Sequence, residues 1–574
     1  METVELLIDN IPIKVPAGTT ILKAAEEAGV HIPTLCYLED INEIGACRIC
    51  VVEVEGYSTL AAACVMPVHQ GMVVKTNTPA VRASRRMNLE LILSDHDSDC
   101  PTCIRNGNCE LQTLCEELNV RNVRFEGTKK HERILDTSTP ALVRDTGKCI
   151  LCYRCVSVCD HVQGVDAIAA VNRGFETTIA PAFNKGLIDV PCVECGQCIL
   201  TCPVGALYEK ECIDEVWTAI ADKEKFTVVQ TAPATRVSIG EEFGMEPGDI
   251  STGQMVAALR RLGFDAVMDT DFTADLTIME EGHEFIERLT EGGVLPLITS
   301  CSPGWVKYME HFYPEFIPNM STCKSPQQMF GALAKTFYAE KIDLDPEKVV
   351  SVSIMPCTAK KYEAQRPEMR DSGYQDVDYV LTTRELARMI KEAGIDFKNL
   401  PEEDYDDPMG ESTGAAVIFG ATGGVMEAAL RTAYEVITGK TLASVDFHDV
   451  RGLEGIKEAT VDVDGTEVKV AVAHSLGHAR ELLERVKAGS QYHFIEIMGC
   501  PGGCIGGGGQ PIPTDTEIRD ARMKGIYEAD EAMALRKSHD NPSIKAIYEE
   551  YLGKPLGDKS HHLLHTEYTE RSQY

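Results

Sequence analysis

The sequence predicts a multidomain protein with an α+β N-terminal part and an α/β C-terminal part. Three observations support this prediction. Cysteines recur at short spacings through the first 210 residues, whereas the rest of the chain alternates short β-branched runs with helix-period segments. The length of 574 residues is also several times that of one ordinary domain.

The first 78 residues are expected to form one small domain. VELLIDN and IPIKVPAG are typical of a strand pair, TTILKAAEEAGV of an amphipathic helix, and IGACRIC of a loop. One close cysteine pair and two distant partners fall in this layout: Cys36, Cys47, Cys50 and Cys64. The layout is typical of a plant-type 2Fe-2S ferredoxin domain, although the first gap is longer than in C-x4-C-x2-C. Structural zinc is the alternative.

Residues 79–125 are expected to hold a 4Fe-4S cluster with one histidine ligand. The candidate ligands follow the spacing H-x3-C-x2-C-x5-C: His96, Cys100, Cys103 and Cys109. A histidine alone is more often a surface or core residue, but three cysteines at ligand spacing favour coordination. An imidazole in place of a thiolate makes the cluster less negative and should raise its reduction potential.

Two C-x2-C-x2-C-x3-C runs predict a bacterial-type ferredoxin domain with two 4Fe-4S clusters over residues 139–209. In this fold each run gives three thiolates to one cubane and the fourth to the other. Cluster A would take Cys149, Cys152, Cys155 and Cys202, and cluster B would take Cys192, Cys195, Cys198 and Cys159. The repeated tight spacing, followed by Pro203, argues against the alternative of zinc knuckles.

Residues 210–574 are expected to form an α/β domain with largely parallel, buried strands. Its apolar runs are KFTVVQTAP, GFDAVMDTD, VLPLITSCSP, VVSVSIMPC, VDYVLTTRELARMI, AAVIFGATGG, VKVAVAHSLGHARELLERV and YHFIEIMGCPGGC. In such sheets ligands bind beyond the carboxyl ends of the strands. Four cysteines lie there: Cys301, Cys357, Cys500 and Cys504. GATGGVMEAALR is a glycine turn that opens a helix, but it lacks the Gly-Lys-Ser/Thr of a nucleotide-binding loop.

Net charge and the lack of long apolar stretches argue against some kinds of partner and location. A formal charge of −34 argues against nucleic acid or an anionic membrane as the main partner. METVELLIDN lacks the regions of a signal peptide and no stretch of 18 apolar residues occurs, so a cytoplasmic location is expected. There the 22 cysteines are expected to be reduced thiolates that hold metal rather than disulfides.

Three segments resemble the signature segments of iron-only (FeFe) hydrogenases: TSCSPGW at 299–305, MPCTAKKYEA at 355–364 and EIMGCPGGCIGGGGQP at 496–511. They occur in the family's order, and the first 210 residues resemble the accessory cluster domains of large clostridial-type members. The resemblance covers essentially the whole chain. It implies a ferredoxin hydrogenase, an enzyme that reversibly reduces protons to H2.

The resemblance implies a catalytic H-cluster, in which a cubane is joined through one cysteine sulfur to a diiron unit that carries carbon monoxide, cyanide and a dithiolate amine. By motif match Cys357 and Cys500 hold the cubane, and Cys504 bridges it to the diiron unit. The expected cofactors are therefore one 2Fe-2S cluster, three accessory 4Fe-4S clusters and the H-cluster.

The fourth cubane ligand departs from the family pattern T-S-C-C-P-x-W. In that pattern the first cysteine relays protons and the second binds the cubane, and here these positions are Cys301 and Ser302. Three explanations are open: Cys301 binds iron instead, Ser302 binds through oxygen or leaves that iron to another ligand, or the chain carries a cysteine-to-serine change. A serine oxygen is harder and more basic than a thiolate, so it should weaken the site or lower its potential.

A proton relay is also expected. Glu281, Glu284 and Arg288 stand at i, i+3 and i+7 of one predicted helix and share a face. Such a stripe is usually solvated surface, but carboxylates with tuned pKa values can pass protons. The family's proton pathway matches Cys301, Glu281, Ser321, Glu284 and Arg288 position by position.

The resemblance implies a lining for the diiron pocket. Lys360 would donate a charge-assisted hydrogen bond to a cyanide, and Ala234 stands where many members have a serine. The other matching positions are Pro233, Gln327, Met355, Phe419 and Met498. The two methionines are alternatively plain core residues. Three cysteines outside every pattern are expected to be small and buried: Cys115, Cys212 and Cys323.

The expected electron donor is ferredoxin or a flavodoxin-like carrier. Because ferredoxins are usually acidic, docking would need a local basic patch, and the runs 81–88 and 120–133 are candidates, although such runs are usually solvated surface. One alternative is the catalytic subunit of an NAD(P)-linked, electron-bifurcating hydrogenase with flavoprotein subunits.

Two further alternatives are weaker. A non-catalytic hydrogenase-like cluster carrier or sensor is favoured by Ser302, but such a protein needs neither a proton relay nor Lys360. An electron-input subunit of a respiratory dehydrogenase matches the first 210 residues but leaves the C-terminal part without a role.

Overall fold

The N-terminal region folds as one five-stranded sheet with a helix. The computed structural model describes residues 2–127, 133–463 and 465–572. The first elements are β1 (Thr3–Ile8), β2 (Ile11–Pro16), α1 (Ile21–Glu27), β3 (Val51–Val54), β4 (Ala61–Ala62) and β5 (Val73–Lys75). The sheet order is β2-β1-β5-β3-β4, and β1 runs antiparallel to β2. The predicted strand pair and helix are therefore confirmed.

The next region consists of short elements around cysteine loops. It contains α2 (Pro79–Ser94), α3 (Glu110–Glu117), β6 (Leu135–Asp136), β7 (Leu142–Asp145), α4 (Arg154–Ser157), β8 (Ala169–Val171), β9 (Thr178–Ala180), α5 (Gln197–Thr201) and β10 (Leu207–Glu209). β10, β7 and β6 form an antiparallel sheet, and β8 pairs with β9.

The two cysteine runs of the ferredoxin-like region have the same backbone shape. In each run the second and the fourth residue after the first cysteine are left-handed: Leu151 (φ 55°) and Tyr153 (φ 65°) in one, Glu194 (φ 57°) and Gly196 (φ 70°) in the other. A short helix then begins, α4 in the first case and α5 in the second. The sequence repeat is thus also a structural repeat.

The two basic runs present less free positive charge than their sequences suggest. In the run 81–88, Arg85 is buried and donates to a strand carbonyl of the first sheet. In the second run Arg124 pairs with Glu90 at 2.7 Å. Residues 128–132 of that run lie outside the described residues.

The C-terminal region contains most of the helices. Its elements are α6 (Ile213–Ala221), β11 (Phe226–Thr231), α7 (Thr252–Leu262), β12 (Ala266–Asp269), α8 (Thr270–Glu291), β13 (Leu297–Ile298), α9 (Pro303–Phe312), α10 (Pro326–Leu333), α11 (Ala339–Lys341), β14 (Val349–Met355), α12 (Ala359–Ala364), β15 (Tyr379–Thr382), α13 (Thr383–Glu392), α14 (Gly414–Val417), α15 (Gly424–Thr438), β16 (Ile456–Val463), β17 (Thr466–His474), α16 (Leu476–Lys487), β18 (Phe494–Met498), α17 (Thr516–Ala532), α18 (Pro542–Ile547) and α19 (Asp558–Leu564).

Two four-stranded sheets form the centre of this region, in the orders β12-β11-β14-β15 and β13-β18-β17-β16. The first sheet is entirely parallel, and in the second β18 runs parallel to both neighbours. The central strands β14 and β18 are buried along their whole lengths. The predicted α/β architecture with largely parallel strands is confirmed, and the loops after β14 and β18 carry the conspicuous cysteines.

Two details differ from the sequence prediction. AAVIFG is helical, as α14 and a following 3-10 turn, because an apolar run of this length suits a buried helix as well as a buried strand. β16 runs antiparallel to β17 as a long hairpin arm. Its residues alternate between buried and exposed positions, so its sequence contains no apolar run that would predict a strand.

Among the described residues, no helix is both long and apolar enough to cross a bilayer. The expected cytoplasmic location stays a prediction.

Candidate metal centres and proton relay

Four thiols of the N-terminal domain lie together. Cys50 Sγ and Cys64 Sγ are 3.3 Å apart, and the Cys47 backbone N–H donates to Cys36 Sγ over 3.5 Å. Hydrogen bonding with the Cys36 thiol lowers the pKa of Cys47 to about 6, and hydrogen bonding with Cys64 lowers the pKa of Cys50 to about 7. An all-sulfur set with two easily ionised thiols suits a 2Fe-2S cluster.

His96 and its three predicted partners line one cavity: the partners are Cys100, Cys103 and Cys109. His96 Nδ1 is buried and has no hydrogen-bond partner among the described residues, and burial lowers the pKa of the imidazole. A neutral ring with an unpartnered nitrogen is the form that binds metal. Cys115, which was expected to be a buried bystander, is half-buried and lines the same cavity.

Two further cavities divide the eight thiols of the ferredoxin-like region into two sets of four. One is lined by the cluster A set and the other by the cluster B set, so each combines three cysteines of one run with the last cysteine of the other. Burial raises the pKa of Cys152 to about 12 and that of Cys159 to about 11. Iron must therefore displace the thiol protons when it binds.

The loop that carries the cluster B cysteines packs directly against the glycine-rich loop after Cys504. Gln197 Nε2 donates to the Gly506 carbonyl over 2.9 Å. A Cβ atom on Gly508 would lie 2.3 Å from the Cys195 carbonyl oxygen, so only glycine permits this approach. The glycine-rich segment after Cys504 thus lets the loop of the cluster B cysteines approach the loop that carries Cys504 closely.

A fifth cavity lies beyond the carboxyl ends of β14 and β18. Its polar and sulfur-bearing lining residues are Cys301, Ser302, Cys357, Cys500, Cys504, Lys360 and Gln327. Its apolar wall includes the predicted Pro233, Met355, Phe419 and Met498. The predicted Ala234 does not line it: this residue is fully buried behind the wall, beside Gly420. Sequence reasoning missed the start of α8, where Thr270 and Ala274 complete the wall.

The donors of this cavity suit a large anionic metal group. Burial raises the pKa of Cys357, Cys500 and Cys504, the last to about 12. Gln327 Oε1 is buried without a partner among the described residues. Lys360 Nζ donates to the Cys301 carbonyl (3.1 Å) and to a carboxylate oxygen (2.9 Å), which leaves one of its three N–H groups for the cavity.

Four of the five predicted relay residues are linked by hydrogen bonds, and the fifth, Cys301, interacts electrostatically with Glu281. Arg288 Nη2 donates to Glu284 Oε1 over 2.6 Å, and Ser321 Oγ donates to Glu284 Oε2 over 2.9 Å. Burial, followed by repulsion from Glu284, raises the pKa of Glu281 to about 8. Glu281 is therefore protonated at neutral pH and can donate to Ser321. Beyond it, burial and the Glu281 carboxyl raise the pKa of Cys301 at the cavity.

A third buried carboxylate on α8 was not anticipated. Glu280 accepts hydrogen bonds from the Leu556 N–H (2.9 Å), from His565 Nε2 (3.1 Å) and from the hydroxyls of Tyr548 and Ser560. Burial alone would raise its pKa, but these donors outweigh burial and lower it. Glu280 thus fastens the C-terminal segment to the relay helix. Single-sequence patterns contain no signal for such a contact.

The other two cysteines outside the ligand patterns differ from each other. Cys323 is fully buried, as expected, whereas Cys212 is half-buried and accepts a hydrogen bond from Lys361 Nζ over 3.3 Å.

Family models match five stretches of the chain. The model described as iron only hydrogenase large subunit, C-terminal domain, matches residues 225–508, and that of the iron hydrogenase small subunit matches 516–571. The 2Fe-2S iron-sulfur cluster binding domain matches 1–79. The NADH-ubiquinone oxidoreductase-G iron-sulfur binding region matches 85–124, and the NADH-quinone oxidoreductase subunit 3 ferredoxin-like domain matches 139–208. No sequence pattern had separated the small-subunit stretch from the preceding domain.

Three curated proteins are similar over most of the chain. NADP-reducing hydrogenase subunit HndD of Solidesulfovibrio fructosivorans is 53% identical over 585 residues, which covers 100% of both chains. Iron hydrogenase 1 of Clostridium pasteurianum is 42% identical and covers 98% of this chain and 99% of its own. Cytosolic iron-sulfur assembly component 3 of Mus musculus is 30% identical and covers 71% of this chain and 88% of its own.

Among solved structures, a variant of apo FeFe-hydrogenase from Chlamydomonas reinhardtii is similar with a TM-score of 0.57 and 45% identity. It covers 63% of this chain and 99% of its own. The likeness therefore extends to the backbone of the catalytic part.

The crossed thiol sets predict the iron content of double variants. Cys149→Ser with Cys202→Ser should lose about four irons per chain, no more than either single variant, because both thiols line one site. Cys149→Ser with Cys159→Ser should lose about eight, because they line two sites. Iron and sulfide analysis of anaerobically purified chains measures this. The reverse pattern would mean that each run holds its own cluster.

The raised pKa of Glu281 predicts a pH dependence of stability. Between the ordinary carboxyl value of 4.5 and about 8, the folded chain holds a proton that the unfolded chain releases, so stability must fall as pH rises through this window. Glu281→Gln removes this titration and should flatten the decline of melting temperature of the metal-free protein. Glu287→Gln, exposed on the same helix, should keep the wild-type slope. Equal slopes in all three proteins would contradict the prediction.

Proposed function

Because this chain belongs to the iron-only (FeFe) hydrogenase family and is an oxidoreductase acting on H2, we propose that it reversibly reduces protons to H2 in the cavity beyond β14 and β18. One observation carries the assignment to this cavity. Three half-buried thiols, the inner end of the candidate proton relay and the neighbouring cluster B set all meet there. Protons and electrons thus reach the same place by separate routes.

The cavity fits the H-cluster of the family. Cys357 and Cys500 would hold its cubane, and Cys504 would bridge the cubane to the diiron unit. When bound, this group supplies the iron sites at which protons and electrons combine. Lys360 would offer its remaining N–H to a cyanide as a charge-assisted hydrogen bond. The surrounding apolar wall keeps water away and so strengthens this contact.

Electrons would enter through the accessory sites and converge on cluster A. Asn42 Nδ2 donates to the carbonyls of Cys36 (2.7 Å) and Cys152 (3.0 Å), which ties the 2Fe-2S site to cluster A. The Glu110 N–H donates to the Pro203 carbonyl over 3.1 Å, which ties the His96 site to the same cluster. Cluster B then connects cluster A to the catalytic cavity. The 2Fe-2S site and the His96 site would therefore be two separate entry points for electrons, and both would lead to cluster A.

Protons would follow the relay on α8. Arg288 holds the Glu284 carboxylate at the outer end, and Ser321 passes a proton between Glu284 and Glu281 through its hydroxyl. A carboxyl group with a pKa of about 8 both accepts and releases a proton readily near neutral pH. Cys301 would exchange this proton with the cavity.

The electron donor would be ferredoxin or a flavodoxin-like carrier. A second candidate is favoured by the 53% identity to an NADP-reducing hydrogenase subunit: the chain would be the catalytic subunit of an NAD(P)-linked complex with flavoprotein partners. The likeness to an iron-sulfur assembly component points to a non-catalytic protein instead. The continuous relay and Lys360 argue against that reading, since a protein that only holds clusters needs neither.

Activity and infrared spectra of the matured chain test the proposal. With reduced viologen we expect H2 evolution, together with infrared bands of metal-bound carbon monoxide and cyanide. Cys301→Ala should lower the rate by at least about 100-fold, the scale of a lost proton-transfer group, while keeping these bands. Cys212→Ala, away from the relay, should retain the wild-type rate. Matured protein with neither bands nor turnover would support the non-catalytic reading.

The two electron-donor candidates differ in what the isolated chain can use. We expect reduced ferredoxin alone to drive H2 evolution, and NADPH to do so only after flavoprotein subunits are added, because a flavin must split the hydride pair into single electrons. Rates with each donor, before and after addition of co-purifying subunits, measure this. A chain inert to ferredoxin until those subunits are present would favour the NAD(P)-linked complex.

A further inference from the structure

We infer that Ser302 is the fourth protein ligand of the catalytic cubane and binds iron through its Oγ, so that three thiolates and one alkoxide hold this cluster. The inference rests on the proposed function, because it concerns the same cavity. It concerns a position where this chain has serine and the family pattern has cysteine.

The Ser302 side chain does not make the capping hydrogen bond that is usual for a serine at its position. Ser302 is the N-cap residue of α9, where a serine ordinarily accepts a hydrogen bond from the first turn of the helix. No such bond is present. Instead, Ser302 Oγ accepts from the Gly499 N–H over 3.1 Å and lines the cavity of the three thiols. The oxygen is therefore held by the loop that precedes Cys500 rather than by its own helix.

Cys301 and Ser302 are held by different neighbours. The Cys301 carbonyl accepts a hydrogen bond from Lys360 Nζ over 3.1 Å, whereas Ser302 Oγ accepts one from the Gly499 N–H, next to Cys500. Ser302 is thus the one of the two whose side chain is fixed beside the Cys500 loop.

Backbone geometry keeps the two neighbours apart. Ser302 is extended, with φ −100° and ψ 101°, and successive side chains of an extended chain point to opposite sides. Only one of Cys301 and Ser302 can then face the Cys500 side, and Gly499, whose N–H holds Ser302 Oγ, immediately precedes Cys500. For Cys301 to face Cys500 instead, the peptide between Cys301 and Ser302 would have to turn over.

The surroundings of Ser302 suit a bound alkoxide. On binding iron the hydroxyl releases its proton to solvent, and the Gly499 N–H then donates to an anionic oxygen, which is a stronger hydrogen bond than one to a neutral hydroxyl. A Cβ on residue 499 would lie 3.2 Å from Ser302 Oγ, so glycine keeps this approach open. A hard oxygen donor stabilises the oxidised cluster, so this cubane should have a lower potential than its all-thiolate form.

Iron content and redox titration of the full chain test the inference without any need for the diiron unit. The protein is purified anaerobically with its cubanes but without diiron maturation. Ser302→Ala should lose about one cubane, or leave a three-iron remnant visible by electron paramagnetic resonance. Ser302→Cys should keep all iron and raise the midpoint potential of one cubane. Cys301→Ala should change neither iron content nor potential.

Ser300→Ala is the matched control, because Ser300 is a buried serine two residues away that donates to the Cys323 carbonyl and does not line the cavity. It should retain wild-type iron and potentials, and intact accessory-cluster signals in every variant show that the chain is folded. If Ser302→Ala keeps the full iron content, spectrum and potential, or if Cys301→Ala loses the cubane, the inference is overturned. If wild-type protein lacks the cubane altogether, the proposed function fails instead.

Discussion

Burial of ionisable sulfur and oxygen is the physical condition on which the rest of this structure depends. Thiols such as Cys152 in the ferredoxin-like region and Cys357 in the catalytic cavity have raised pKa values because the protein interior disfavours their charged forms. Bound iron supplies the positive charge that makes thiolates stable there, so cluster binding contributes directly to folding free energy. In such a chain, electrons can pass from site to site only when iron is bound at the sites.

The same burial gives the proton relay its chemistry. On the surface, Glu281 and Glu284 would be ordinary ionised carboxylates with no reason to hold a proton. Inside, low polarity and repulsion from Glu284 raise the pKa of Glu281 to about 8, while Arg288 pairs with Glu284 at the outer end. The C-terminal segment closes over this helix through Glu280. The candidate proton relay and the packing of the last residues thus depend on neighbouring side chains of α8.

Close approach of backbones links the electron route to the cavity. Gly508 meets the carbonyl of Cys195 at a distance that no side chain allows, and Gln197 reaches across to Gly506. These contacts join loops that are more than 300 residues apart in the chain. They explain why the segment CPGGCIGGGG is so rich in glycine: two metal sites have to be neighbours, and side chains would separate them.

Cysteine spacing by itself predicted which candidate ligands lie together in the four accessory groups, including the crossed groups A and B, and apolar runs predicted the strand ends that carry Cys357 and Cys500. Ligand spacing within one loop and apolar periodicity within one strand are local properties, so one sequence is enough to read them. Tertiary structure alone decided that AAVIFG is helical, that Ala234 stands behind the cavity wall and that Glu280 holds the C-terminal segment. It also placed Ser302 Oγ within hydrogen-bond distance of the Gly499 N–H, next to Cys500. Each of these depends on contacts between residues far apart in sequence. Local sequence preference does not predict such contacts, because they are determined by tertiary packing.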